Sequence, residues 1–192
     1  MFLSIWEWIR LLGFLAYFYF TVSIVFGLIR KTPAIHSNKN LYFQLHQISG
    51  WLGFVAVIAH MILLIIDQYE PYQISEILIP FMSSYRSILS GFGSIAFYLF
   101  FIVIVTSDLW IRKMGFSVWK KVHFLVFPAW ILSLIHGIFI GTDSKNEVII
   151  IFYGMTVTLV AITLIVRIIG EGDKKKDIRF KKKEIENKAI SE

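Results

Sequence analysis

Five long apolar stretches constrain this chain more than any other feature. They run over Trp8–Leu28, Leu45–Ile66, Gly91–Trp110, Val122–Ile140 and Val148–Ile169. A hydrocarbon core about 30 Å thick is crossed by about 20 helical residues. Backbone N–H and C=O groups find no water there, so each stretch must satisfy its own hydrogen bonds as a helix. The expected fold class is an all-α integral membrane protein, a bundle of five transmembrane helices. Residues 1–170 form its single domain and residues 171–192 a lysine-rich cytoplasmic tail. Charged residues make up only 17% of the chain, against about 25% in soluble domains. The opening MFLSIWEWIR has no basic run ahead of its apolar part and no A-x-A-like site after it. It is therefore expected to start a true span rather than a cleaved signal.

Lysine and arginine set the expected orientation. The first loop carries Arg30, Lys31 and Lys39, and the third Arg112, Lys113, Lys120 and Lys121. The tail holds KKK at 174–176 and again at 181–183. The second loop has only Arg86 beside Asp67, Glu70 and Glu76, and the fourth only Lys145 between Asp143 and Glu147. Excess Lys and Arg marks the cytoplasmic side. The N-terminus is expected outside and the C-terminus inside, in a multi-pass protein of the cytoplasmic membrane. The net charge of +6 is confined to loops and tail, so it implies the bilayer as a partner and no nucleic acid. The tail reads as an anchor near anionic lipid, or alternatively as a docking patch for an acidic soluble partner. The second loop, 67–90, is long for a connection and contains the apolar run Ile77–Met82. Loops of that length are often functional. It is either an interfacial or re-entrant cover over the outer end, or a plain loop with a surface helix.

Four histidines lie inside these apolar stretches. His46 and His60 stand fourteen positions apart in the second, and His123 and His136 thirteen apart in the fourth. Imidazole is costly in hydrocarbon and needs a partner there. The two helices start on the same side, so His46 and His123 fall near the cytoplasmic face and His60 and His136 near the outer one. At about 1.5 Å per residue the two levels are about 20 Å apart. Two histidines at each of two levels suit the axial ligands of two haems. A zinc site is less suited, because each level offers two ligands where three or four are usual. Packed, hydrogen-bonded histidines are the bland alternative. Cysteine is absent, which excludes Cys-ligated zinc, Fe–S clusters, disulfides and covalently attached c-type haem.

Helical phase separates the two pairs. Fourteen steps of about 100° each return His60 to within about 40° of His46, whereas thirteen leave His136 about 140° from His123. Pro128 lies between them, and either a distortion there re-aims one histidine or the two haems are rotated relative to each other. Haem propionates favour nearby cations. Arg10 is the first candidate outside, with Arg86 second, while Arg30, Lys31, Lys120 and Lys121 are near on the inner side. Phe54, Phe127 and Trp130 lie between the levels, either lining an electron path or simply packing. Gly50, Gly53 and Gly137 are near the histidines and either let a flat macrocycle approach the backbone or, the preferred reading for any one of them, make ordinary helix contacts. His36, in the first loop, is read as a surface residue.

These residues resemble a known family. His46…His60, His123…His136, the run Thr106-Ser107…Arg112…Gly115…Trp119-Lys120-Lys121-Val122-His123 and the opening Arg10…Gly13…Ala16-Tyr17 are similar to the ferric reductase-like transmembrane domain. That domain is shared by ferric reductases, NADPH oxidases and the haem subunit of a bacterial methionine sulfoxide reductase system. The resemblance covers about residues 8–170. It implies two bis-histidine b haems, with His46 paired to His123 and His60 to His136. It further implies electrons passing from a cytoplasmic flavin to an acceptor at the outer face. Many members have six spans and a C-terminal flavin and nicotinamide domain, whereas this chain shows five spans and a short basic tail. The expectation is a membrane cytochrome b, an oxidoreductase component fed by a separate flavoprotein or reductase partner. A haem or metal transporter and a structural haem subunit of a reductase complex are the other readings.

Overall fold

The structure is a computed structural model that describes residues 4–32, 38–141 and 146–191. His36, Asp143 and Lys145 lie outside the described residues. The elements are α1 (Ile5–Lys31), α2 (Lys39–Ile66), the short α3 (Ile74–Leu78), α4 (Ser87–Val105), a π-helical segment (Thr106–Trp110), α5 (Ile111–Met114), α6 (Phe116–His123), α7 (Val126–Ile140) and α8 (Glu147–Ser191). Every regular element among the described residues is helical. Five helical stretches are long and apolar enough to cross a membrane: Ile5–Lys31, Lys39–Ile66, Ser87–Met114, Phe116–Ile140 and Glu147–Gly172. The protein is a multi-pass membrane protein of five spans.

Each span is longer than the apolar stretch that marked it, for local reasons. α1 starts at Ile5 because Ser4 and Glu7 form a capping box: the Glu7 N–H donates to Ser4 Oγ at 3.3 Å, and the Ser4 N–H to Glu7 Oε2 at 2.7 Å. These bonds satisfy two donors that a helix start leaves open. The third span continues past Val105 through the π segment, where Thr106 bonds back to the Ile102 carbonyl at 2.6 Å. Gly115, at φ +75°, then breaks the chain before α6. That backbone conformation strains any residue with a Cβ.

α1 is the central helix. It packs against α2, α7 and α8, while α4 packs on α7 and α2. The buried core runs along it through Tyr17, Phe20, Ile24, Val25 and Leu28 to meet Phe100, Ala129, Trp130, Tyr153 and Val160. Polar groups along this core are paired across helices. Trp130 Nε1 donates to Thr21 Oγ1 at 2.8 Å, and Thr21 in turn to the Tyr17 carbonyl at 2.8 Å. The Tyr17 hydroxyl meets Thr156 Oγ1 at 2.8 Å, joining α1 to α8. Trp130 also stacks on Tyr17, and Phe54 stacks on Phe97. Large apolar side chains such as Val55, Ile62, Ile151 and Ile162 face outward, as lipid-facing positions require.

The bundle has a basic end, with Lys31, Lys39 and the 112–121 region, and an opposite end capped by α3. α8 runs on beyond the fifth span as one helix, with no break at residue 170. The segment after α2 folds back onto α4: Ser94 Oγ donates to the Ile77 carbonyl at 2.7 Å and the Tyr98 hydroxyl to the Leu78 carbonyl at 2.5 Å. Tyr98 lies three turns into α4, about 16 Å along its axis. The segment therefore lies along α4, with Ile77 buried and Leu78, Ile79, Phe81 and Met82 exposed. The Gln73 and Ser84 N–H groups donate to Glu76 and hold its carboxyl below the usual carboxylate range.

Candidate functional site

Two cavities are stacked along the bundle, one at each end. His46 and His123 line the basic-end cavity, and His60 and His136 line the α3-end cavity. The pairing is that of the sequence reading. The two levels hang on one unbroken helix, α2, which carries His46 and His60 on the same side. The other two histidines need a distortion, and it lies just before Pro128. α6 ends at His123 and α7 begins at Val126. Pro128 has no N–H to give the Phe124 carbonyl, which takes the Phe127 N–H at 3.2 Å instead. The Leu125 N–H likewise bonds the Val122 carbonyl at 3.0 Å. Such i−3 bonds wind the chain at about 120° per residue instead of about 100°, so each one turns His136 further round.

The histidines are tied by the same ring nitrogen. His46 Nδ1 lies 2.8 Å from the Ser23 carbonyl, His60 Nδ1 2.8 Å from that of Ile9, and His136 Nδ1 2.8 Å from that of Leu89. A carbonyl only accepts, so Nδ1 carries the proton and Nε2 is the free lone pair. In each case a glycine stands four positions after the acceptor: Gly27 after Ser23, Gly13 after Ile9 and Gly93 after Leu89. A side chain there would cover the carbonyl. The imidazole instead lies on the glycine, where an added Cβ would stand 3.2 Å from His46, 3.4 Å from His60 and 2.7 Å from His136. Ser23 grips His46 twice, since its hydroxyl donates to the His46 backbone carbonyl at 2.8 Å.

His123 is the exception. Its Nδ1 meets the hydroxyl of Ser107 on the π segment at 3.1 Å, and the same oxygen accepts Trp119 Nε1–H at 3.1 Å. The Trp119 ring also lies against His123, with centroids 4.9 Å apart. The rings of His46 and His123 are 5.9 Å apart, centre to centre, at 72° to each other. Among the described residues no group of three or more His, Cys, Asp or Glu side chains is placed to hold a bare metal ion.

The donor set fits haem at both levels, and at the basic end the cavity has the volume as well. Each level brings two imidazoles into the lining of one cavity. The basic-end cavity, about 730 Å³, falls inside the usual range for ligand pockets, about 300–1,000 Å³. The α3-end cavity is narrower, about 200 Å³, so its fit rests on the donors. Arg30, Lys31, Lys39, Lys120 and Arg167 line the basic-end cavity against the single carboxylate Asp108, a setting for anionic groups. Arg10 lines the α3-end cavity together with Asp67, Glu70 and Glu76. Asp67 is only 6% exposed, and its Oδ1 has no hydrogen-bond partner among the described residues. Arg86 does not reach the cavity wall: it donates to the Phe139 carbonyl and ties α4 to α7.

Between the cavities stand two residues that sequence reasoning passed over. Phe20 and Phe100 line both cavities and stack face to face, with centroids 3.7 Å apart and planes 4° from parallel. Phe54 and Trp130 serve the packing described above, and of the three aromatic candidates Phe127 is the one lining the basic-end cavity. Gly50, Gly53 and Gly137 face Ser23, Phe20 and Tyr153 and make helix contacts, as read. The glycines against the histidines are others, and a signal for two of them existed. Gly13 and Gly27 on α1 have the same sequence spacing as His46 and His60 on the antiparallel α2.

One of the comparisons with known proteins found a family. The ferric reductase like transmembrane component family matches residues 12–134, nearly two thirds of the chain and three of the four paired histidines. Arg10 and His136 lie just outside the matched stretch. No curated protein and no solved structure matches the chain. On the family match, this chain belongs to the ferric reductase like transmembrane component family.

Proposed function

We propose that this protein is a b-type cytochrome of the cytoplasmic membrane that moves electrons across the bilayer through two bis-histidine haems. His46 and His123 hold one haem, and His60 and His136 the other. One observation carries the reading: three imidazoles give Nδ1–H to a carbonyl of a neighbouring helix, which leaves Nε2 as a free lone pair, and the fourth, His123, meets the Ser107 hydroxyl through the same nitrogen. Metal-binding histidines are oriented in this way through their other nitrogen. Bound haem b supplies reversible one-electron chemistry. The chain's own residues hold the imidazoles, keep water away with apolar walls and place the Phe20–Phe100 stack between the two levels.

The charge pattern supports a direction for this transfer. The basic end faces the cytoplasm, where its cations suit an acidic soluble donor carrying a flavin. Electrons leave at the α3 end, beside Arg10, for an acceptor outside. A transporter would need histidines that release their cargo readily, and the carbonyl ties hold the rings fixed instead. Oxidised and reduced absorption spectra of the purified protein test the reading. The expected result is b-type bands at two haems per chain, falling to one when His60 and His136 are both changed to Ala. Absence of those bands, or unchanged haem content in that variant, refutes it.

A further inference from the structure

Three of the four imidazoles donate to a helix carbonyl, and His123 does not. We propose that Ser107 is a positioning residue that sets the donor strength of His123, with Trp119 acting through it, so that the His46–His123 centre is the one whose potential this chain adjusts. The inference rests on the haem reading above. Once Nε2 is a ligand, Nδ1 keeps its proton and must donate it, and the Ser107 oxygen 3.1 Å away receives it. That oxygen already accepts the Trp119 indole N–H at 3.1 Å. Its two lone pairs are then both in use by donors. A hydroxyl shared in this way pulls less on Nδ1–H than an unshared acceptor does. The imidazole is thereby less electron-rich, and the oxidised metal is stabilised less.

The local fold is built around this contact. The π segment Thr106–Trp110 interrupts the third span at Ser107, and π-bulges are frequent at functional sites. Gly115, at φ +75°, turns the chain so that α6 brings Trp119 back to Ser107. The Trp119 ring against His123 fixes the indole independently of its N–H. Ser107 and Trp119 therefore act in opposite senses on one nitrogen.

Two variants of the full-length purified protein separate the effects, read by redox titration of the haem absorption and by the low-spin EPR signals. Ser107→Ala removes the acceptor, and the potential of one of the two haem components is expected to rise. Trp119→Phe keeps a ring against His123 and frees the Ser107 oxygen, and the same component is expected to fall. One hydrogen bond corresponds to a change of roughly two- to tenfold in the reduction equilibrium. Ser107→Thr keeps the hydroxyl and is expected to restore the original potential. Shifts of the same sign in the first two variants, or lost haem with unshifted potentials, mean a merely structural contact and overturn the inference while leaving two haems per chain intact. A wild-type protein without b-type bands overturns both this inference and the reading beneath it.

Discussion

Replacing Gly93 by Ala puts a methyl group where the ring of His136 already lies. The new Cβ would stand 2.7 Å from both Cε1 and Nδ1 of that imidazole. Ordinary contact begins at 3.4 Å, so the ring must retreat by about 3.4 − 2.7 = 0.7 Å. Its Nδ1 bond to the Leu89 carbonyl, now 2.8 Å, then stretches to about 3.5 Å, at the edge of what counts as a hydrogen bond. Leaving that buried donor unsatisfied costs about 1–3 kcal/mol, and the ring loses the restraint that aims Nε2. The same change at Gly13 meets His60 at 3.4 Å and at Gly27 meets His46 at 3.2 Å. The three alanine variants should therefore grade: Gly93→Ala severe, Gly27→Ala intermediate and Gly13→Ala nearly silent. Haem content per chain and thermal unfolding of the detergent-solubilised protein read the series. Gly93→Ala is expected to lose the α3-end haem and keep the other. Full haem occupancy in Gly93→Ala, or greater loss in Gly13→Ala, would show that close approach to the glycine does not seat the histidines.

Four further outcomes follow from the same contacts. Phe100→Leu keeps apolar bulk but removes the stack on Phe20, so stopped-flow reduction should show slower equilibration between two fully occupied haems. Phe100→Ala should also destabilise the bundle, by about 3–5 kcal/mol for a buried Phe, in a denaturant titration. Tyr17→Phe removes the hydroxyl that meets Thr156 between α1 and α8 and should cost about 0.6 kcal/mol, the usual scale for such bonds in membranes. Glu76 is ionised more readily in the fold than in the unfolded chain, so its contribution is present at neutral pH and fades as pH falls through the lowered value. Hydrogen-exchange protection of residues 73–84, taken against the intrinsic rate at each pH, should fall on acidification, and Glu76→Gln should abolish the dependence.

What could be read from the residues, and what could not, divides along a physical line. Bilayer thickness and the demand for internal hydrogen bonds act on a chain one stretch at a time, so five spans were visible in five runs of apolar residues. The histidine levels were visible because α2 is regular, and the spacing from His46 to His60 closes nearly whole turns of a regular helix. His136 needed more. Its phase depends on how Pro128 redirects the Phe124 carbonyl, a local change of winding that periodicity alone does not give. The contacts that hold the imidazoles are less legible still, because each one joins two helices. Ile9, Ser23 and Leu89 contribute a backbone carbonyl, which has no residue-type signature. Their mark in the sequence is displaced by one helical turn, to a glycine that any membrane helix might use for packing. Phe20 and Phe100 are two of 18 phenylalanines, and only the packing of α1 against α4 and α7 selects them. The pairing of Gly13 and Gly27 with His60 and His46 shows how such contacts can still be found. Matched spacings on two antiparallel helices imply two meetings at one geometry, and in a bundle where carbonyls are the available acceptors, a glycine opposite each histidine marks where the acceptor is bared.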